Sequence, residues 1–193
     1  VIFKSVKAAR QSAKAANFGF PGGLGIEKFR MYAAASYGVV LDEDQAGRMK
    51  GSWLASYPEM KDYFKYISAL VASGAPVIQL GSDRIRGGVY YTNACNSYFQ
   101  GHTADMAKDA GWQLMKACYM PGSVLYGCRV VNFVHDEFIL EVPIDKAHEC
   151  ALEVVRIMED ASRRWAPSAP AAVEPSLMYR WRKSAGPVYD HNK

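Results

Sequence analysis

The stretch that most constrains this chain is VVNFVHDEFILEVP, Val130 to Pro143. Val130, Val131, Phe133 and Val134 lead into His135-Asp136-Glu137, and Phe138, Ile139, Leu140 and Val142 lead away. β-branched and aromatic residues suit a pleated, half-buried surface, and each run has the length of a strand. The pattern predicts a hairpin with a tight two-residue turn. Asp136 would sit near the apex, where Asp tolerates unusual backbone angles. The strands read as buried, which makes three adjacent ionisable side chains between them conspicuous. A turn in solvent accounts for an Asp, but it does not need such apolar strands on both sides.

Upstream the chain reads as mostly helical. Residues 1–17 are rich in Ala, Lys, Arg and Gln, all good helix formers, and NFGFPGGLG stops them with Pro and repeated Gly. A second helix is predicted over about 26–36, where Ile26, Phe29, Arg30 and Ala33 recur at helical spacing. Asp42 with Gln45 three residues on is a capping signature for a third. Pro58 can open a fourth and Gly74 can close it. PVIQLGSDRIRGG then reads as a hairpin of two short strands around Gly81-Ser82-Asp83. A long helix over about 93–120 follows and breaks at Pro121-Gly122. After the central hairpin, Ala147, Ala151, Leu152, Val155, Met158 and Ala161 mark one face of an amphipathic helix. The Pro- and Ala-rich remainder is irregular. The order is a helical block and then an α+β block, without internal repeats.

Composition narrows the class. The 193 residues are 50% hydrophobic and 22% charged, an ordinary soluble balance rather than a disordered one. No apolar run approaches the roughly 18 residues of a membrane span. The N-terminus lacks both a Met and the apolar core of a signal peptide, so we expect a segment of a longer protein. Cys95, Cys118, Cys128 and Cys150 form no CxxC pair, which disfavours zinc and suits reduced thiols in a cytoplasm. The net charge of +4 is small but uneven. Lys4, Lys7, Arg10 and Lys14 precede the first acid, Glu27, and Arg180, Arg182 and Lys183 crowd the tail. Such clusters suit a polyanion, and equally suit solvated helix faces.

Three constellations carry chemistry. At the hairpin tip, adjacent carboxylates on a strand end can anchor a hard divalent cation, since Mg²⁺ takes oxygen ligands from one or two carboxylates plus substrate phosphates. In RQSAKAANFGFPGG, Arg10, Lys14 and Phe18 lie at i, i+4 and i+8 along one helix face. Two cations and an aromatic ring there could hold a triphosphate and stack on a base. The glycines after them would let another backbone or a nucleobase approach closely. The stretch is neither a Walker A loop nor a GxGxxG fingerprint. In NSYFQGHTADMAK, Asn96 and Gln100 share a helix face and carry paired donors and acceptors. Such amides can read the degenerate acceptor pattern of a duplex minor groove. Taken singly, each set also fits an ordinary polar surface.

Taken together, in this order and spacing, they resemble family A DNA polymerases, the bacterial and phage replicative or repair type. Arg10-xxx-Lys14-xxx-Phe18-Gly19 is similar to that family's fingers helix, motif B; VHDE is similar to motif C; and NSYFQGHTAD is similar to the helix between them. YPEMKDYF and the tail LMYRWRKSAGPVYD resemble the family too, the tail especially its phage members. The resemblance implies an α+β fold, a partial right hand with a helical fingers block over residues 1–76. A palm portion with an antiparallel sheet and packed helices would span 77–193. It implies transfer of a nucleotide from a dNTP to a primer 3′-hydroxyl by a two-metal mechanism.

The same resemblance implies roles. Arg10 and Lys14 would grip the dNTP phosphates, Lys14 also offering a proton to departing pyrophosphate, and Phe18 would stack near the incoming base. Asn96 and Gln100 would contact the duplex minor groove and His135 the primer end. Asp136 would bind catalytic Mg²⁺, with Glu137 assisting. Primer-template DNA, dNTPs and the rest of a polymerase are the implied partners. Two positions depart from the pattern. Gly22-Gly23 stand where the family often has Tyr-Gly, and Thr92 stands where an Arg often precedes the Asn by four residues. The family's other metal-binding Asp lies in motif A, upstream of motif B, so this chain alone is expected to be inactive. The rivals are a single-subunit RNA polymerase, whose motif C is nearer HDS, a non-catalytic DNA-binding subunit or half of a split polymerase, and a soluble domain with chance motifs.

Overall fold

The protein is described from a computed structural model covering residues 2–169, 171–182 and 186–188, with side chains from residue 6 onward. Lys183 of the basic tail and the side chain of Lys4 lie outside the described residues. Packing divides the chain into two compact units, Val1–His102 and Thr103–Lys193.

The first unit begins with α1 (Ile2–Gly19), α2 (Ile26–Tyr37) and α3 (Glu43–Ser56). Their shared core holds Ala15, Ala16, Phe20, Phe29, Ala33, Ala46 and Trp53. Phe20 packs against Phe29 with tilted rings, centroids 4.1 Å apart. The close approach depends on Gly19, where a Cβ would lie 2.9 Å from the Phe29 ring. The predicted cap at Asp42 is complete: Gln45 N–H donates to Asp42 Oδ1 at 2.6 Å and Asp42 N–H to Gln45 Oε1 at 3.0 Å. That reciprocal pair satisfies two of the donors that a helix start leaves open.

Helix α4 (Met60–Ala72) starts two residues after Pro58, which occupies the preceding turn rather than opening the helix itself. Gly74 closes it with φ +71. Strands β1 (Val77–Ile78) and β2 (Ile85–Arg86) pair antiparallel as expected, and α5 (Tyr91–Tyr119) follows. A second cluster of Ile67, Leu70, Val77, Ala94 and Cys95 packs α4, β1 and the start of α5 together.

In the second unit, the later turns of α5 pack with β3 (Arg129–Val134), β4 (Glu137–Glu141), a 3-10 turn (Ile144–Lys146) and α6 (Ala147–Trp165). Leu114, Cys118, Leu125, Cys128, Cys150 and Ile157 form the core. The buried face of α6 runs through Cys150, Ile157 and Ala161, with Val154 packed beside them. Leu152, expected on that face, is 64% exposed, so the apolar stripe is rotated relative to the sequence reading. Its opposite side is laced by Arg156 to Glu153 and Asp160, and by Arg163 to Glu159 and Asp160.

Strands β3 and β4 pair antiparallel, with a register shift at Val131 between the Val130–Leu140 and Asn132–Ile139 pairs. The extra residue splits the alternation of β3, as a bulge does. Neither strand is buried as the sequence suggested: Val131 and Phe133 are exposed and Phe138, Ile139 and Leu140 only half-buried. One side of the ribbon is covered. Phe138, Leu140 and Val142 meet the core, and a Cβ on Gly111 of α5 would lie 3.0 Å from the Phe138 ring. Helices with two separate antiparallel ribbons make the fold α+β. Among the described residues no helix is long and apolar enough to cross a membrane.

Candidate active site

The hairpin tip is a two-residue turn, since Val134 pairs with Glu137. Its strained residue is not Asp136, as the sequence suggested, but His135, with φ 57. Positive φ at the first turn position only is the geometry that glycine usually serves, and His is among the residues that tolerate it best. His135, Asp136 and Glu137 are all exposed. Strand alternation turns Glu137 away from the face that carries Phe138. Trp181 of the tail donates its indole N–H to Glu137 Oε1 at 3.3 Å.

In the first unit, α1 shows Arg10, Lys14 and Phe18 on one exposed face, with Phe18 54% exposed. Its other face carries the buried Ala15 and Ala16. Asn17 is held by the Trp53 indole, which donates to Asn17 Oδ1 at 3.1 Å. Among the described residues neither Arg10 nor Lys14 forms an ion pair.

Asn96 and Gln100 are exposed on α5, Asn96 between the buried Cys95 and Ser97. The glycines after α1 meet this helix. A Cβ on Gly22 would lie 3.0 Å from the Asn96 amide, and one on Gly23 would lie 2.7 Å from Tyr91 and 2.9 Å from Cys95 Sγ. The space that the sequence reading left for a backbone or nucleobase is thus filled by side chains of α5. Gly22-Gly23 couples the end of α1 to Asn96.

Sequence reasoning missed the brace behind Asn96 and Gln100. Gln79, 4% exposed, donates to Tyr98 C=O at 3.1 Å. Arg86 donates to Ser97 Oγ at 2.9 Å and Arg84 to Gly101 C=O at 3.2 Å. The Tyr63 hydroxyl donates to Cys95 C=O at 2.6 Å, and burial pushes its pKa well up. Burial, then the bond to Tyr66, raises Tyr98 to about 12. The available signal was Gly101, a glycine inside a helix. Gln79 packs against it too closely for any Cβ there.

Asp136 and Glu137 offer adjacent, exposed carboxylate oxygens, the donor chemistry of a hard cation. Among the described residues no group of three His, Cys, Asp or Glu side chains is arranged to hold a metal. Two carboxylates supply only part of such an ion's ligand shell, and Mg²⁺ is a cation that takes the remainder from water and substrate oxygens.

A family model described as DNA polymerase family A matches residues 3–183. The chain is 27% identical to the DNA polymerase I of Aquifex aeolicus over 180 residues, 92% of this chain and 30% of that protein. It is 31% identical to the DNA polymerase I of Streptococcus pneumoniae serotype 4 over 164 residues, 79% of this chain and 18% of that protein. With the DNA polymerase I of Deinococcus radiodurans it shares 27% identity over 183 residues, 89% of this chain and 18% of that protein. The chain spans less than a third of the length of these relatives. The match runs from α1 through both hairpins and into the tail, and the chain belongs to DNA polymerase family A.

Proposed function

We propose that this chain serves template-directed DNA synthesis, joining a dNTP to a primer 3′-hydroxyl. The fingers role falls to residues 1–76 and the palm role to 77–193. The observation that carries the reading is shared by eight side chains. Arg10, Lys14, Phe18, Asn96, Gln100, His135, Asp136 and Glu137 are all exposed, on elements whose other faces are packed.

Arg10 and Lys14 pair with dNTP phosphate oxygens, the fixed guanidinium fork orienting them and the ammonium supplying a point charge. Lys14 also gives a proton to the leaving pyrophosphate oxygen. Phe18 offers its ring to the incoming base, and Asn96 and Gln100 bond the minor-groove acceptors near the primer end. His135 supports the primer terminus. Asp136 and Glu137 hold Mg²⁺, which when bound stabilises charge on the attacking and leaving oxygens. A two-metal site takes carboxylates from two sides, and we assign the other side to a segment outside residues 1–193. The setting is the cytoplasm of a bacterium or an infected host.

The test mixes the purified chain with a polypeptide that supplies the other carboxylate and follows primer extension. Extension is expected from the mixture, reduced roughly 10³-fold or more by Asp136→Asn, the rate equivalent of several kcal/mol. Full extension by the Asp136→Asn mixture, or by the chain alone, would overturn the assignment.

A further inference from the structure

The tail beyond α6 makes one contact at the candidate site that the reading above leaves unused. Trp181 reaches Glu137 across 44 residues of sequence, its indole N–H 3.3 Å from Oε1. The segment that carries it is tied back on itself, since Val188 N–H donates to Leu177 C=O at 2.6 Å. Trp181 is 53% exposed, so burial of its ring does not account for its position. Its neighbours Arg180 and Arg182 are exposed cations, and among the described residues neither forms an ion pair. Of three consecutive donors, the neutral one touches the carboxylate.

That choice has a chemical consequence. A guanidinium on Glu137 would neutralise it and compete with any metal for the same oxygens. An indole N–H is a donor without charge, so it fixes the side chain and leaves the negative charge intact. The bond uses one carboxylate oxygen and leaves the other to be directed elsewhere. We propose that Trp181 is a positioning residue for Glu137, holding the carboxylate in one orientation for a divalent cation. This rests on the reading of Glu137 as part of the metal site.

The test uses the 193-residue chain with Mn²⁺ standing in for Mg²⁺. The four tryptophans give four indole N–H signals in nitrogen-resolved NMR, and Trp181→Phe identifies one of them. Glu137→Gln is expected to move the Trp181 signal and leave those of Trp53, Trp112 and Trp165 in place. Mn²⁺ should broaden the Trp181 signal first. Mn²⁺ affinity, read by water-proton relaxation, should fall about three- to tenfold in Trp181→Phe, the range for loss of one ordinary, solvent-exposed hydrogen bond. The control Trp112→Phe removes another exposed indole, 62% exposed, and should leave affinity unchanged. A Trp181 signal indifferent to Glu137→Gln overturns the contact. Unchanged Mn²⁺ affinity in Trp181→Phe overturns the positioning role. A signal that follows Glu137→Gln while Asp136→Asn leaves Mn²⁺ binding untouched would remove the metal from the hairpin, sinking the proposed function rather than the contact.

Discussion

The two units support their exposed chemistry in different ways. In the first, α1 carries Arg10, Lys14 and Phe18 on the outer face of a helix whose inner face is fully packed. Phe29 and Ala15 are 0% exposed and Phe20 1%. In the second, Asp136 and Glu137 ride on a two-stranded ribbon packed on one side only. An isolated pair of strands is marginal in water, so the ribbon depends on Phe138 meeting Gly111 and on the Phe133–Phe138 stack at 4.5 Å. A helix face can be mounted by the core beneath it, whereas a hairpin tip needs specific contacts near its end.

The sharpest way to break that contrast is to remove one ring from each support. Phe29→Ala should cost about 3–5 kcal/mol, the range for truncating a buried aromatic. Phe133→Ala, at a side chain 46% exposed, should cost about 1–2 kcal/mol, mostly its ring pairing. Denaturant titration gives the totals, and hydrogen exchange gives the location. Phe29→Ala should strip protection from α1 and spare β3 and β4. Equal costs at the two sites would end the distinction.

A smaller effect concerns the coupling of α1 to α5. Gly23→Ala puts a Cβ 2.7 Å from Tyr91 at a residue with φ +75. Overpacking costs about 1–3 kcal/mol, and the left-handed backbone adds roughly 1–2 more. Because the displaced side chains belong to the helix of Asn96, the amide signals of Asn96 and Gln100 should move in NMR, whereas those of Arg10 should not.

Acid and base should then separate the units. Burial pushes the Asp109 carboxyl up, but bonds from Arg164, Gln113 and Trp165 more than offset this and hold it low. The bond from Arg156 holds Glu153 low as well. With folded values below the unfolded ones, their stabilisation is complete above the ordinary carboxylate range. It is lost as pH falls through the folded values. The first unit instead holds Tyr32 and Tyr98 raised to about 12, chiefly by burial. Their stabilisation is complete below pH 10 and disappears as pH rises towards 12. Burial raises Cys150 to about 11, so base weakens the second unit too. Acid is the discriminating direction: α6 amides should lose protection near the carboxylate range while α2 and α3 keep theirs.

Much of this was legible in the sequence because local chemistry decides it. Asp42 and Gln45 announce a capping box in four residues, and Gly74 and Pro121-Gly122 mark helix ends without help from the core. The central hairpin and its two-residue turn followed from strand formers on either side of His135-Asp136. Burial was not legible. Val131 and Phe133 look like core, yet Val131 is the extra residue of the bulge, and Phe133, stacked on Phe138 beside the tip, is still 46% exposed. Leu152 on α6 failed for a related reason. Helical periodicity gives a stripe, but the packing partners Leu125 and Cys128 decide its centre. Gln79 was invisible because a polar side chain reads as solvent-facing, although alternation puts it on the face of the buried Val77, and only the absent Cβ of Gly101 makes room for it inside.

The smallest expected effect lies at the tip itself. His135 has φ 57, which a glycine adopts at no steric cost. His135→Gly recovers roughly 1–2 kcal/mol of left-handed backbone strain. It forfeits about as much to the greater freedom of the unfolded chain and a looser native turn. The net change in stability should fall within about 0.5 kcal/mol, as for most exposed substitutions. Primer extension in the mixed system should nevertheless weaken, with a higher apparent KM for primer-template and little change for dNTP. That pairing separates a side chain kept for the turn from one kept for the primer. If His135→Gly instead lowers the unfolding midpoint and leaves KM alone, His135 belongs to the support of the ribbon, and the tip's chemistry narrows to the two carboxylates.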